Sequence, residues 1–392
     1  MSAIEAINYR TILNSHVQFT TEFIIKLDNG DTGAGAAPQG ETISIYEDKK
    51  VSITPETIIQ AIQADGILGK PTDQIEFDRY LQQKISLFGR NNAFSLSLAF
   101  FNATCQSRSL FELFDRPKSK LSPPRLCLNI LNGGWHAYTN PVLSDFHEFM
   151  LVAKSDDLQA VIGEHNEIQK AIKARLTTQT KTVVSGNPVN VFSTRDNRAP
   201  IEFLLSIVEN LGLAGKYDLM LDASAGDLWT PEGYRLSITD NSVYSSEQFL
   251  EYWAGLIRDY NLRFLEDPFR EQDAESWHAL TTSQPNAIVI GDNYYSSDAA
   301  RIEAGATGRH TRAAIIKPNQ AGTITATRRA VEAAQHTGQI VITSHRSIST
   351  EETFISALTC MYGAQHIKIG PLETDYSSVV RLNGIIRLTE AI

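Results

Sequence analysis

A chain of 392 residues with 42% hydrophobic content carries enough apolar material for one large domain and a smaller one, which excludes a disordered or fibrous protein. A formal charge of −10, from 45 acidic against 35 basic residues and with no long basic run, argues against a nucleic-acid or acidic-membrane surface. Cys105, Cys127 and Cys360 lie far apart and make no C-x-x-C, which fits a reducing compartment and disfavours structural zinc.

In chain order, MSAIEAINYR has an early acid and no apolar leader core, and no run of about 18 apolar residues follows, so a soluble cytoplasmic protein is expected. VQFTTEFIIKL (17–27) and the region around ISIYED (43–48), separated by the turn signal DNGDTGAG (28–35), predict a small antiparallel sheet. Helical patterns follow at TPETIIQAIQ (54–63), IEFDRYLQQKI (75–85) and NNAFSLSLAFFNATCQSRSLFELF (91–114), the last long enough for one helix or two. The Pro-, Ser- and Lys-rich DRPKSKLSPP (115–124) marks the expected boundary between a smaller α+β domain over 1–122 and a second domain over 123–392.

Beyond it, short apolar strands alternate with helices, the pattern of a parallel sheet with helical crossovers. The strands read RLCLNIL (125–131), YDLMLDA (217–223), LRFLED (262–267), AIVIGD (287–292), AAIIKP (313–318), QIVITSH (339–345) and QHIKIG (365–370). Six of them end in groups that can do chemistry: Asp222, Glu266, Asp292, Lys317, His345 and Lys368. One charged strand end is ordinarily a solvated terminus. Six in series point to a β/α barrel, whose strand C-termini converge on one face.

Asp222, Glu266 and Asp292 brought together without a cation would repel one another. Hard, all-oxygen ligands favour Mg²⁺ or Mn²⁺ over zinc and leave coordination positions for substrate oxygens; three separate surface salt bridges are the bland alternative. Lys317 ends AAIIK and is followed by Pro318, which ends the strand and holds the amine near the barrel mouth. An amine beside cations gives up its proton more readily and can act as a base near neutral pH. After the strand VITS come His345, Arg346 and Ser347: the guanidinium can grip a phosphate or carboxylate through two bonds, the Ser344 and Ser347 hydroxyls add donors, and Lys368 adds a point charge. His345 either donates to substrate or caps the strand.

These motifs carry a resemblance. NILNGGWHA (129–137), HEFM (147–150), LMLDASAGDLW (219–229), FLEDPF (264–269), VIGDN (289–293), IIKPNQAGTITAT (315–327), ITSHRSISTEETFISAL (342–358) and QHIKIG (365–370) together resemble the enolase family, as do APQGETISIYE (37–47) and DQIEFDRYL (73–81). The resemblance covers nearly the whole chain. It implies a smaller N-terminal α+β lid domain before a modified eight-stranded enolase-like (β/α)8 barrel, usually as a homodimer. It also implies a small anionic phospho-carboxylate substrate, Mg²⁺ on Asp222, Glu266 and Asp292, and Lys317 as the base that removes the proton next to the substrate carboxylate. Arg346, Ser347 and Lys368 would hold the substrate, His136 and His345 would stand near the phosphate and leaving group, and Glu148 would match one of two catalytic glutamates.

The pattern breaks on one side of the site. Enolases carry a G-D-E-G-G loop whose Glu acts as acid on the departing hydroxyl; here the region reads VVSGNPVNVFST (183–194), with Asn187 and Pro188 where Asp and Glu would fall. The S-G-A-S-T loop is replaced by PQGETI (38–43), although Thr42 falls where a Ser would ligate a second Mg²⁺. His147 replaces a common Gln beside Glu148, twelve residues after His136 rather than the family's shorter spacing. Either His147 or Glu148 supplies the missing acid or the substrate differs. The expectations are therefore a 2-phosphoglycerate-type lyase, a natural-product relative similar to carboxyphosphonoenolpyruvate synthase acting on a phosphonate, or an inactive enolase-like binding protein.

Overall fold

The computed structural model describes residues 1–40, 44–47, 52–115, 121–134, 140–176, 180–184, 187–191 and 196–390, with the backbone alone described for 180–184 and 187–191. The chain opens with β1 (Ser2–Leu13), β2 (Phe19–Leu27), β3 (Thr32–Gly35), α1 (Pro55–Ala64), β4 (Pro71–Thr72), α2 (Gln74–Gln83), α3 (Ile85–Phe88), α4 (Arg90–Thr104) and α5 (Leu110–Leu113). The four strands form one antiparallel sheet in the order β3-β2-β1-β4. Local chemistry sets the helix starts: the Thr54 hydroxyl accepts from Thr57 N ahead of Pro55, and the Asp73 carboxylate accepts from Glu76 N.

Helix α4 is apolar on two sides because two layers share it. Its Phe94, Leu98 and Phe101 pack with barrel-side residues such as Ile316 and Leu358, while Leu96, Ala99 and Phe100 pack with Phe23 and Ile25 of the sheet. At Gly33 the β3 backbone presses on this helix so closely that an added Cβ would stand 2.0 Å from Ala103 N. The sheet layer is tied to the barrel layer by Asp78, which is fully buried and accepts from Ser97 Oγ at 2.6 Å, Gln74 Nε2 at 2.9 Å and Thr325 N at 2.7 Å. Asp78→Ala leaves buried donors without an acceptor and is expected to lower stability by about 2–3 kcal/mol, read from chemical unfolding. An unchanged midpoint would show that this anchor does not bind the layers.

The second portion begins with β5 (Arg125–Asn132), β6 (Glu148–Ala153), α6 (Leu158–Leu176), β7 (Thr180–Val184), β8 (Asn187–Val191), α7 (Ala199–Asn210) and β9 (Tyr217–Asp222). It continues through β10 (Trp229–Thr230), β11 (Gly233–Arg235), β12 (Val243–Tyr244), α8 (Ser246–Tyr260), β13 (Leu262–Glu266), α9 (Ala274–Ser283), β14 (Ile288–Gly291) and α10 (Ala299–Thr307). It ends with β15 (Ala313–Ile316), α11 (Pro318–Ala321), α12 (Ile324–His336), β16 (Ile340–Ser344), α13 (Phe354–Tyr362), β17 (His366–Lys368) and α14 (Tyr376–Thr389). Eight strands close a barrel in the order β13-β14-β15-β16-β17-β5-β6-β9. Cys127, Met150, Val152, Met220, Phe264, Ile288, Ile290, Ala313, Ile315 and Ile342 pack together as one cluster filling it.

Two expectations need correction, and one strand is new. The barrel is not wholly parallel, since β6 runs antiparallel to both β5 and β9, returning directly along β5 with Glu148 opposite Asn132. The strand expected around 43–48 is absent from its described residues, 44–47, which form a turn because Ser44 Oγ and Ile45 N bond to Glu271 of the barrel portion instead of a ladder. The N-terminal segment, not singled out above as a strand, forms the longest strand of that sheet, β1. Residues 91–114 give two helices, α4 and α5. Among the described residues, no helix is long and apolar enough to cross a membrane.

Candidate active site

Strand alternation carries the interior of the barrel out to its mouth. Side chains two residues apart face the same side of a strand, so each inward apolar residue is followed on the same face by a group at the rim. Met220 leads to Asp222, Phe264 to Glu266, Ile290 to Asp292, Ile315 to Lys317 and Cys127 to Asn129. On antiparallel β6 the same step runs backwards, from Met150 to Glu148, which is how a residue at the start of a strand reaches the rim; Glu148 pairs in register with Asp222, and Asp222 with Glu266.

The rim encloses a cavity of about 770 Å³ whose walls include Glu148, Asp222, Asp292, Lys317, His345, Arg346, Ser347 and Lys368. Glu266 lies behind that wall, fully buried. Lys368 Nζ stands 2.8 Å from Glu266 Oε2, 3.0 Å from Glu148 Oε2 and 3.4 Å from Asp222 Oδ2. Lys317 Nζ is ion-paired with Asp292 Oδ2, and Asn129 Nδ2 donates to Glu148 Oε1 at 2.7 Å. Burial, followed by the neighbouring Asp222 carboxylate, pushes Glu266 well above the usual carboxylate range against the pull of Lys368. Burial opposes the charge of Lys368, but Glu148, Glu266 and Asp222 outweigh it and hold the ammonium well above its ordinary value.

Burial, then Arg381, Lys368 and Lys317, push His345 well below the ordinary histidine value, so its imidazole is neutral. His345 Nδ1 lies 3.0 Å from the Arg346 carbonyl oxygen, which can only accept. The proton therefore sits on Nδ1, and Nε2 is an acceptor; donation from Nε2 to a substrate does not fit this tautomer. Arg346 is buried, and its guanidinium donates to Glu47 at 3.0 and 3.4 Å. His147 does not line the cavity: its ring is buried behind the wall, in contact range of Gly134, with Nε2 3.7 Å from Asp227. His136 and Thr42 lie outside the described residues, and at Asn187 and Pro188 the structure gives only the backbone of the β7–β8 hairpin.

The structure adds residues that the motifs did not single out. Asp267, buried and in a left-handed conformation (φ 43°), accepts from Asp292 N at 3.0 Å and Asn293 N at 2.7 Å, so it holds the turn that presents Asp292. Arg381, buried on α14, donates to Ser349 Oγ and to the Ile369 carbonyl, bracing the segments that carry Arg346 and Lys368. Asn129 is the one the inward alternation from Cys127 makes findable.

Among the described residues, no three His, Cys, Asp or Glu side chains are drawn together as a ready metal-ligand group. The donor set nonetheless fits a hard divalent cation. Its ligands are all oxygen, Asp292 Oδ1 is buried without a hydrogen-bond partner among the described residues, and two ammonium groups supply the positive charge that the clustered carboxylates demand.

Residues 120–392 match the family model described as "Enolase, C-terminal TIM barrel domain". An enolase of Legionella pneumophila (strain Lens) is 30% identical over 99% of this chain and 98% of its own length. An enolase of Legionella pneumophila subsp. pneumophila, strain Philadelphia 1, is 29% identical over the same shares. With the closed barrel, its reversed strand and the acidic and basic groups at its mouth, these likenesses identify the chain as a member of the enolase family.

Proposed function

We propose that this protein is a Mg²⁺-dependent lyase that removes the proton next to the carboxylate of a phosphorylated or phosphonylated three-carbon acid, with Lys317 as the base. The observation that carries this reading is the meeting of Lys317, Lys368 and Arg346 with Asp222, Glu148 and Asp292 around one cavity. A carbanion beside a carboxylate is prohibitively basic unless positive charge is aimed at the carboxylate oxygens. Asp222, Glu266 and Asp292 would hold Mg²⁺, which when bound supplies part of that charge. Lys368 and Arg346 contribute the rest from the protein and orient the anionic ends of the substrate. His345, held neutral with its proton on Nδ1, presents Nε2 as a hydrogen-bond acceptor rather than a donor.

The leaving-group side is where the substrate class is decided. Without the acid of the G-D-E-G-G loop, Glu148 is the better placed replacement, because it lines the cavity and His147 does not. A second reading, a phosphonate-pathway enzyme similar to carboxyphosphonoenolpyruvate synthase, is favoured by Asn187 and Pro188 standing where that acid would fall.

The deciding experiment is a direct absorbance assay for phosphoenolpyruvate with 2-phosphoglycerate and Mg²⁺. Product supports the first reading; no product but solvent deuterium exchange next to the carboxylate supports the second. Neither signal would leave only the inactive binding protein. Metal binding is read independently of turnover: Mg²⁺ at a hundred times its Kd is expected to stabilise the fold by about 2.7 kcal/mol. Asp292→Asn should lose most of that shift, and an equal shift in the variant would remove Asp292 from the ligand set.

A further inference from the structure

Arg346, the guanidinium that the proposed function assigns to an anionic end of the substrate, is already holding an anion. Glu47, from the portion of the chain that precedes the barrel, places Oε2 3.0 Å from Arg346 Nη1 and Oε1 3.4 Å from Nη2. Gln320 Nε2 donates to the same Oε1 at 3.0 Å. Both charged side chains are largely dry, 3% and 11% exposed. Burial works against the charge of Glu47, but Arg346 outweighs it and keeps the carboxyl below the usual range, so the pair is ionic.

The segment bearing Glu47 is fastened. Ser44 Oγ donates to the Asn293 carbonyl at 2.8 Å, and the Tyr46 ring lies 4.3 Å from the Arg301 guanidinium carbon. On the neighbouring stretch, Gln39 and Ile348 exchange backbone hydrogen bonds at 2.8 and 3.0 Å. Gly40 leaves the room the guanidinium needs, since a Cβ there would stand 1.7 Å from Arg346 Nη2. Glu47 is thus delivered to Arg346 by the fold and not by a chance rotamer.

We propose that Glu47 is a built-in competitor for Arg346, an occupant of the substrate grip that a dianionic phosphate or phosphonate group displaces and a simple carboxylate does not. This rests on the reading that Arg346 grips the substrate. A carboxylate tethered to the same chain competes at an effective concentration in the millimolar range or above. A free monoanionic carboxylate offers Arg346 the same charge and geometry as Glu47, so it gains nothing by exchange. A phosphate near neutral pH carries close to two charges and a third acceptor oxygen, so its attraction to the guanidinium is larger. The competitor lowers both affinities by the same factor, so it sets a threshold that the stronger-binding phosphate passes and the weaker carboxylate does not.

The test is calorimetric binding of inorganic phosphate and of acetate to the full chain, with no turnover required. Glu47→Gln keeps the shape and an acceptor but removes the charge; it is expected to bind phosphate about tenfold tighter than the unaltered protein, the effect of roughly one charge-assisted contact released from competition. It is also expected to gain measurable acetate binding, while Glu47→Asp stays near the unaltered protein. Arg346→Gln should remove the gain. If Glu47→Gln does not fold, Gln320→Leu, which loosens Glu47 without touching its charge, is expected to raise phosphate affinity about threefold.

Phosphate affinity that is unchanged or weaker in these variants, while Arg346→Gln still weakens phosphate binding, would overturn the competitor role and leave the functional reading standing. Phosphate binding insensitive to Arg346→Gln would instead remove Arg346 as the grip, and the proposal with it.

Discussion

Lys317→Arg is expected to lower solvent deuterium exchange at the substrate carbon, and turnover with it, by about 10²–10⁴-fold while leaving the melting temperature nearly unchanged. The choice of arginine separates two duties of one side chain. Lys317 follows Ile315 on the inner face of β15 and its ammonium rests on the Asp292 carboxylate at the cavity wall. Arginine can keep that ion pair, because it stays charged and reaches as far, but it cannot become a neutral base. Lys317→Ala removes both duties: it should lose exchange to the same degree and also lose stability, since Asp292 is then a buried carboxylate without its partner. Exchange retained in Lys317→Arg would end the assignment of Lys317 as the base. Exchange lost in both, with stability lost only in the alanine variant, would show the base and the structural ion pair to be separable properties of one residue.

The contrast between what sequence patterns reveal and what they hide follows from the range of the forces involved. Asp222, Glu266, Asp292, Lys317 and Lys368 are legible because each sits at or just past the end of a short apolar strand, and alternation along one strand is a local property. Fold class was legible for the same reason. The reversal of β6 was not, since EFMLVA has the same apolar pattern in either direction and only its pairing with β5 and β9 decides. β1 escaped notice because the described strand buries few of its side chains, so alternation is weak in SAIEAINYRTIL. Glu47 is hidden by distance: ISIYED reads as a strand, and the partners that turn it into an anchored loop, Glu271, Arg301, Gln320 and Arg346, lie more than two hundred residues away. His147, a chemically able residue next to Glu148, lies just before β6, is buried and is not among the residues that line the cavity.

Lys368→Met should cost about 3–5 kcal/mol of stability at neutral pH, because it strands Glu266 at zero exposure beside Asp222 and Glu148 without their shared cation. The size of the loss should depend on pH, and its sign follows from the direction of each shift. Glu266 has a folded value raised above its unfolded one, so its contribution is fully present below the unfolded carboxylate value and is lost as pH rises through the folded one. Removing Lys368 removes the main influence holding Glu266 down, so in the variant that loss extends to higher pH. Lys368 is also raised, and its own contribution to the unaltered protein persists until pH climbs above the ordinary lysine value of about 10.4. The two proteins should therefore differ least in acid, where Glu266 is protonated in both, and most on the alkaline side up to the ordinary lysine value. Urea unfolding at pH 4.5 and pH 8 measures this directly. A gap of equal size at both would mean that the methionine variant fails through packing, and that the ammonium is not what reconciles these acids. A gap that opens with pH would make Lys368 the group that allows three carboxylates to share the barrel mouth before any substrate arrives.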